Sequence, residues 1–225
     1  MYLQLENVEK YYGENENRVQ VLKGVNGSIE RGEICVMLGP SGSGKSTLLN
    51  LIGGIEIIDY GNVIVGGIDL ASLSKTKLGL YRRDTLGFVF QFYHLVPNLT
   101  VKENIETGAY LSKTPLAVET LLDKLGLKEH CNRYPNQLSG GTAIGRALAK
   151  NPKLLLCDEP TGALDYHTSK DILELLEQIN QDYGTTILIV THNDAIAKMA
   201  HRVLRLRDGQ IVSNYLNTSR INAKE

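Results

Sequence analysis

Residues 39–46 constrain the fold of this chain more than any other segment. The apolar run 34–38 precedes them, and a helical pattern over 46–52 follows. The segment fits G-x-x-x-x-G-K-[ST], in which glycines let the backbone curl until successive N–H groups face one centre. A buried strand that leads through a glycine loop into a helix predicts a phosphate-binding loop in an α/β domain. The loop residues expected to surround the phosphates are Gly39, Ser41, Gly42, Ser43 and Gly44.

The end of this loop carries the side chains that a nucleoside triphosphate requires. Lys45 is expected to reach the β- and γ-phosphates. The Ser46 hydroxyl is a hard oxygen ligand of the kind that Mg²⁺ prefers, and Thr47 is placed to assist at the α-phosphate. The sequence therefore predicts ATP and Mg²⁺ as the bound groups.

A second apolar run, residues 154–157, ends in two carboxylates. Strand-terminal carboxylates are often only helix caps, so this pair alone would not indicate catalysis. Beside a phosphate loop, Asp158 is suited to hold the Mg²⁺ shell. Glu159 is suited to orient and activate an attacking water.

The remaining segments indicate how the chain is organised. Strands are predicted within 3–8 and over 19–29, the latter broken by Gly24 and Gly27, with a hairpin over 61–69 and a strand over 86–90. Residues 101–151 contain helical patterns only, at 101–111, 116–125 and 143–150. Strand, helix and strand then alternate at 154–157, 168–182 and 185–190, before a hairpin around Asp208 and Gly209. This alternation predicts a parallel α/β core with an inserted helical subdomain.

Composition excludes several classes. The 24 Lys and Arg against 25 Asp and Glu give no positive field for nucleic acid, which is therefore not expected as a partner. The longest apolar runs are strand-sized, and the first residues lack the pattern of a signal peptide. Three scattered cysteines, Cys35, Cys131 and Cys157, are typical of a reduced compartment. We therefore expect a soluble, cytosolic chain.

Five further motifs give the chain a resemblance to a known family. Leu138, Ser139, Gly140 and Gly141 resemble the signature motif of ATP-binding-cassette ATPases. In that family's order, Tyr12 resembles the aromatic on adenine with Val21 as its apolar companion, and Gln91 resembles the Q-loop glutamine that senses Mg²⁺. Ala163, Leu164 and Asp165 resemble the D-loop, and His192 resembles the switch histidine on the γ-phosphate.

This resemblance implies a fold and an assembly. The fold class is α/β: a P-loop NTPase core with a mixed sheet, an N-terminal antiparallel β region and an inserted helical subdomain. Residues 1–225 would form one domain, with 1–92 and 152–225 as the RecA-like core and 93–151 as the helical signature subdomain. Two copies would pack head to tail around ATP and drive an integral membrane permease. The chain would lie in the cytoplasm against the inner face of the cell membrane.

Within the family, the chain most resembles lipoprotein-releasing, macrolide-export and antimicrobial-peptide-export ATPases and the related cell-division ATPase. The segments that carry this resemblance are 82–84, 86–91, 95–104 and 160–165. An alternative is a regulatory module that controls a cell-wall hydrolase through a membrane partner without transport. A soluble DNA-repair or translation ATPase fits less well. Only 94 residues separate Lys45 from Ser139, which leaves no room for a long coiled-coil insertion.

One departure from the family pattern follows the signature motif. The family usually continues through Gln-Gln-Gln-Arg-Val, whereas Thr142 comes directly after Gly141 here, so about four residues are absent. Four residues are close to one helical turn, so the apolar face stays roughly in phase. Because that turn supports the signature serine and glycines, we expect weaker contact with a partner's ATP and slower turnover.

Overall fold

A computed structural model describes residues 1–135, 138–162 and 164–223. In these ranges, strands and helices follow one another along the chain as β1 (Leu3–Tyr12), β2 (Val19–Ile29), β3 (Ile34–Leu38), α1 (Lys45–Ile52), β4 (Tyr60–Val65), β5 (Ile68–Asp69), α2 (Lys75–Asp84), β6 (Leu86–Val89), α3 (Val101–Tyr110), α4 (Val118–Lys124), α5 (Ser139–Ala149), β7 (Leu154–Asp158), α6 (Tyr166–Tyr183), β8 (Thr186–Thr191), β9 (Arg202–Arg207) and β10 (Gln210–Leu216).

The strands form two sheets, as the α/β expectation requires. Six strands in the order β10-β9-β3-β8-β7-β6 make a mixed sheet, parallel except for the antiparallel pair β9 and β10. Four strands in the order β2-β1-β4-β5 make an antiparallel sheet near the N-terminus. Both the mixed core sheet and the N-terminal antiparallel region are therefore confirmed.

Alternate residues of β3 serve two hydrophobic cores. Ile34 and Val36 belong to the core formed with α3 to α6, whereas Cys35 and Met37 face α1 and the antiparallel sheet. All five residues of β3 are buried, which explains why this strand reads as an unbroken apolar run. The strand that leads into the phosphate-binding loop is thus held from both sides.

Three of the differences between the structure and the sequence expectation concern β2, α2 and α5. β2 continues through Gly24 and Gly27. Gly24, with φ of +71°, lies at an irregularity in the pairing with β1, and an irregularity of this kind bends a strand without ending it. The α2 helix was not expected, and it begins at an N-cap where Ser74 Oγ accepts from the Lys77 N–H. The α5 helix begins at Ser139, four residues earlier than the predicted 143–150.

Candidate active site

Four adjacent parallel strands end at the same edge of the six-stranded sheet. Strand pairing places Leu38 opposite Thr191, Asp158 opposite Val190, and Val89 opposite Cys157. The segments that follow these strand ends therefore emerge side by side, as expected of a ligand site in an open α/β sheet. They contain Gly39, Gln91, Glu159 and His192.

The loop between β3 and α1 is curled tightly. Gly42 and Gly44 have φ of +77° and +100°, and a Cβ on Gly39 would lie 2.3 Å from the Leu206 carbonyl oxygen. The Lys45 ammonium donates to the carbonyls of Gly39 at 2.8 Å and Pro40 at 2.9 Å. The lysine thus closes the ring of the loop on itself and lies where phosphate oxygens are expected.

Two oxygen-bearing side chains meet beside the loop. Ser46 Oγ donates to Asp158 Oδ1 at 3.2 Å, joining the start of α1 to the end of β7. Burial raises the pKa of the Asp158 carboxyl, partly offset by the hydrogen bond from Ser46 and the charge of Lys45. A hydroxyl and a carboxylate with this spacing suit a hard cation such as Mg²⁺.

Ser43 adds an unsatisfied polar atom to the same loop. Its side chain is buried, and its hydroxyl oxygen has no hydrogen-bond partner among the described residues. A buried hydroxyl without a partner is costly, and a phosphate oxygen at the loop would satisfy it. The residues present therefore fit a bound nucleotide and its metal.

Glu159 directly follows β7, and hydrogen bonds hold both its backbone and its side chain. Its backbone has φ of +45°, which is uncommon for a residue other than glycine, and its N–H donates to the Val190 carbonyl at 2.9 Å. One carboxylate oxygen accepts from the Thr191 hydroxyl at 3.0 Å, and the other lies 2.9 Å from Nδ1 of His192. The two residues that follow β7 and β8 therefore form one polar unit.

These residues share one cavity. It has a volume of about 690 Å³, and its walls contain the loop, Gln91, Glu159 and His192 together. The sequence-predicted residues that line it are Val21, Ser41, Gly42, Gly44, Lys45, Ser46, Thr47, Gln91, Glu159 and His192. Pro40 lines it as well and was not predicted.

Tyr12 lies outside that lining, at the end of β1. The residue is 40% exposed, and its hydroxyl donates to Oε2 of Glu56. The other carboxylate oxygen of Glu56, Oε1, accepts from the Asn50 side chain of α1. The Lys10 ammonium lies 5.4 Å from the ring centroid. The ring is thus attached to the helix that follows the phosphate loop.

The signature residues are not brought to this cavity. Ser139, Gly140 and Gly141 line a different one, between α4, α5 and α6. Gly140 is buried, and a Cβ on it would lie 3.0 Å from Cδ1 of Ile172. Within one chain, the signature motif and the phosphate loop therefore occupy separate surfaces.

Asp165 of the predicted D-loop also lies outside the lining of the cavity at the phosphate loop. Asp165 caps α6, its carboxylate accepting from the N–H and the hydroxyl of Thr168 at 3.1 and 2.7 Å. Ala163 lies outside the described residues.

Sequence reasoning missed two supporting residues, Thr191 and Glu56. The available signal for Thr191 was its place directly before His192.

Comparison with known proteins gives this arrangement a family. The model for the family described as ABC transporter matches residues 22–162, more than half of the chain. The chain belongs to the ABC transporter ATP-binding family and is an ABC ATPase. Among the described residues, no helix has the length and apolar character needed to cross a bilayer.

Several relatives are similar over nearly the whole chain. A Mycoplasma genitalium protein that carries the name ABC transporter ATP-binding protein MG065 is 44% identical over 96% of this chain and 48% of its own length. The macrolide export ATP-binding/permease protein MacB of Shigella flexneri is 40% identical over 98% of this chain and 35% of its own length. The chain thus spans half or less of these two relatives. The ABC transporter ATP-binding protein YtrE of Bacillus subtilis is 42% identical over 86% of this chain and 88% of its own.

Solved structures confirm the fold class. The ATP-binding cassette MJ0796, determined as a dimer in a post-hydrolysis state bound to ADP and Pi, superposes with a TM-score of 0.86. It is 36% identical, with 95% of this chain and 98% of that chain covered. A second dimeric structure of MJ0796 gives 0.85 at 37% identity, with 95% and 98% of the two chains covered.

Proposed function

We propose that this chain is the ATP-binding and hydrolysing subunit of a membrane export system, and that two copies close head to tail to drive a separate permease. One observation carries the proposal. The phosphate loop, Gln91, Glu159 and His192 share one cavity, whereas Ser139 to Gly141 line another surface of the chain. A second copy of the chain can therefore bring its signature motif against the first copy's phosphate loop.

The roles in the cavity follow from its contacts. Catalysis of phosphoryl transfer is mostly positioning and charge stabilisation. Lys45 and the loop amides hold the β- and γ-phosphates, and Glu159 takes the proton of the attacking water. His192 contacts the γ-phosphate, while Tyr12 and Val21 support the adenine.

Mg²⁺ belongs to the proposal. Ser46, Asp158 and Gln91 would hold it, because the first two already share a hydrogen bond and the third lines the same cavity. When bound, the ion would supply charge neutralisation at the phosphates. Burial raises the pKa of Asp158, and the positive charge of a bound ion would act in the opposite direction.

The proposals of a second copy and of a permease are supported by the relatives. MJ0796 is described as dimeric, and MacB is named as an ATP-binding and permease protein. By analogy, residues 93–151 form the subdomain that transmits closure, and this chain works on the cytoplasmic face of a membrane. Asp165 and the signature residues Ser139, Gly140 and Gly141 complete the partner's site.

The test is capture of the partner in the source organism. A tagged Glu159→Gln chain, expected to remain ATP-bound, is crosslinked in intact cells beside a tagged Lys45→Ala chain, expected to bind ATP poorly. The proposal expects an integral membrane protein and untagged copies of this chain with the first variant, and less of both with the second. Recovery of only soluble proteins with both variants would contradict the permease. A cell-wall hydrolase regulator in place of a permease would favour the regulatory alternative.

A further inference from the structure

A second polar cavity lies at the opposite edge of the six-stranded sheet. It has a volume of about 540 Å³, and Arg31, Asp84, Lys153 and Thr185 in its lining stand just before β3, β6, β7 and β8. The active site lies at the other ends of these same strands. Residues 112–114, after α3, also line the cavity, as does Lys150, so the cavity joins the core to the helical segment.

The lining is strongly cationic. Arg31, Lys113, Lys150 and Lys153 face it, and Asp84 is the carboxylate among the lining residues. Asp84 is bound through both oxygens by Arg83, at 2.7 and 3.0 Å. Over residues 1–135, 138–162 and 164–223, none of the four cations has a carboxylate oxygen within 4.0 Å.

In this lining, Lys150 is half-buried without an anionic partner in the described part of the chain, and Tyr2 is buried with an unsatisfied hydroxyl. The Lys150 ammonium donates to the carbonyls of Arg82 at 2.5 Å and Leu86 at 2.6 Å, and burial lowers its pKa to about 8. The Tyr2 side chain is 4% exposed, and its hydroxyl has no hydrogen-bond partner among the described residues. The Arg31 guanidinium lies 5.3 Å from the Tyr2 ring centroid. An anion in the cavity would compensate the half-buried charge of Lys150.

We propose that this cavity binds an oligophosphate group. Four cations against one neutralised carboxylate match a ligand with several negative charges, and the volume exceeds what one phosphate fills. Bonds between lysine or arginine and phosphate are among the strong hydrogen bonds of proteins. The group could belong to free polyphosphate or to the phosphate tail of a nucleotide, which share this chemistry. The inference does not depend on the export function.

Occupancy would connect two parts of the molecule. Lys113 follows α3, Lys150 follows α5, and Lys153 immediately precedes β7, whose far end carries Asp158. A multivalent anion that bonds to all three would hold the 112–114 segment against the base of the sheet. The cavity thus provides a place where phosphate supply can act on the junction between the helical segment and the core.

Binding is tested on the full chain carrying Lys45→Ala, which weakens phosphate binding at the loop. Inorganic tripolyphosphate is titrated by calorimetry, and we expect one molecule to bind per chain. Adding Lys113→Ala and Lys153→Ala should weaken binding about tenfold or more, since each removes a charged hydrogen bond. The matched control, Lys23→Ala with Lys75→Ala, removes two exposed lysines outside the cavity and should leave the affinity within about twofold of the background.

Amine labelling with peptide mapping provides a second readout without cavity substitutions. Tripolyphosphate should protect Lys150 and Lys153 from acylation but leave Lys23 reactive. Tighter binding of ATP or GTP than of tripolyphosphate would identify a nucleotide as the source, and equal or weaker binding would identify free polyphosphate. The proposal is overturned by absence of binding, by equal losses in the control pair, or by citrate binding as tightly as tripolyphosphate.

Discussion

Nδ1 of His192 lies 2.9 Å from Oε1 of Glu159, so the residues that follow two neighbouring strands are hydrogen-bonded to each other. An ionised carboxylate can only accept, and Nδ1 therefore carries the proton. The histidine side chain is 68% exposed while the glutamate side chain is 12% exposed. If a γ-phosphate accepted the hydrogen bond from Nδ1, Glu159 would lose that donor, which would free it for its proposed role as general base.

Glu159→Gln tests that role. The amide keeps the size of the side chain and can still accept from Thr191, but it cannot take a proton. We expect ATP binding to persist while turnover falls at least ~100-fold, the lower end of general-base contributions. Phosphate release and nucleotide binding are measured on the same preparation. Glu16→Gln, at an exposed position outside the site cavity, serves as the control, and near-normal turnover in Glu159→Gln would contradict the assignment.

Ser46→Ala tests the metal site. The substitution removes the hydroxyl that hydrogen-bonds to Asp158 and leaves the loop amides and Lys45 in place. We expect the Mg²⁺ concentration for half-maximal turnover to rise several-fold, while ATP binding in EDTA stays unchanged. Ser46→Thr keeps a hydroxyl and should behave like the natural chain. Equal losses of ATP binding with and without Mg²⁺ would show that Ser46 acts on the loop and not on a metal.

Tyr12 is expected to bind adenine through its ring. Tyr12→Ala should weaken ATP binding several-fold, since aromatic pairs contribute on the order of 1 kcal/mol. Tyr12→Phe should be close to the natural chain, because the hydrogen bond to Glu56 is exposed. Affinities for ATP and inorganic triphosphate are compared, and only the former should change. Equal losses in both variants would instead assign the effect to the hydroxyl and Glu56.

Insertion of Gln-Gln-Gln-Arg between Gly141 and Thr142 tests the short signature segment. Four residues lengthen a helix by about 6 Å, enough to move Ser139 away from the core while the apolar face stays roughly in phase. We expect the natural chain to bind Mg-ATP, remain mostly monomeric at micromolar concentration and hydrolyse slowly. The insertion should raise both ATP-dependent dimerisation and turnover.

Size-exclusion chromatography in a Glu159→Gln background measures the dimer, and a phosphate-release assay in the natural background measures turnover. The same four residues inserted after Glu14, in an exposed turn outside the signature surface, are the control. If the natural chain already dimerises and turns over as well as the chain lengthened after Gly141, the short segment does not limit closure.

From the surroundings of His201, we predict that the fold becomes less stable as the pH falls. Its Nδ1 accepts from the Ile34 N–H at 2.9 Å, and burial, followed by the charge of Arg220, lowers the pKa of its ring, with Glu33 and Glu177 acting in the opposite direction. A histidine whose folded pKa is depressed stabilises the fold above its unfolded value of about 6.5, and this stability is lost as pH falls through the folded value. The free energy of unfolding, measured in urea from pH 8 to pH 5, should fall more in the natural chain than in His201→Gln. Parallel profiles would contradict the role.

The phosphate-loop side of the site could be predicted because its signal is local. β3, the loop and α1 are contiguous, and the burial of β3 on both faces appears directly as an apolar run. The hydrogen bond from Thr191 to Glu159 could not be predicted, since it depends on which residue of β8 pairs with Asp158. Register between separate strands is set by tertiary packing and not by either strand alone.

The α2 helix could not be predicted from its local sequence either. Its sequence includes Gly79 and two adjacent arginines, so the apolar periodicity is weak. The helix forms because Leu78 and Tyr81 are buried and the Tyr81 hydroxyl donates to the Ile52 carbonyl at 2.8 Å. Tertiary contact overrides weak local preference here.

The placement of Gly39, Gln91, Glu159 and His192 after adjacent strands has a consequence for how such a chain can change. Their relative positions are determined by the hydrogen-bonded pairing of β3, β8, β7 and β6, whereas the segments that connect these strands run elsewhere. Residues can be gained or lost between Gln91 and Leu154 without altering the relative positions of Gly39, Gln91, Glu159 and His192. Under the proposed function, the residues that recognise ATP and those that contact other subunits can therefore change independently, and the short segment after Gly141 lies in the part of the chain where such a change is accommodated.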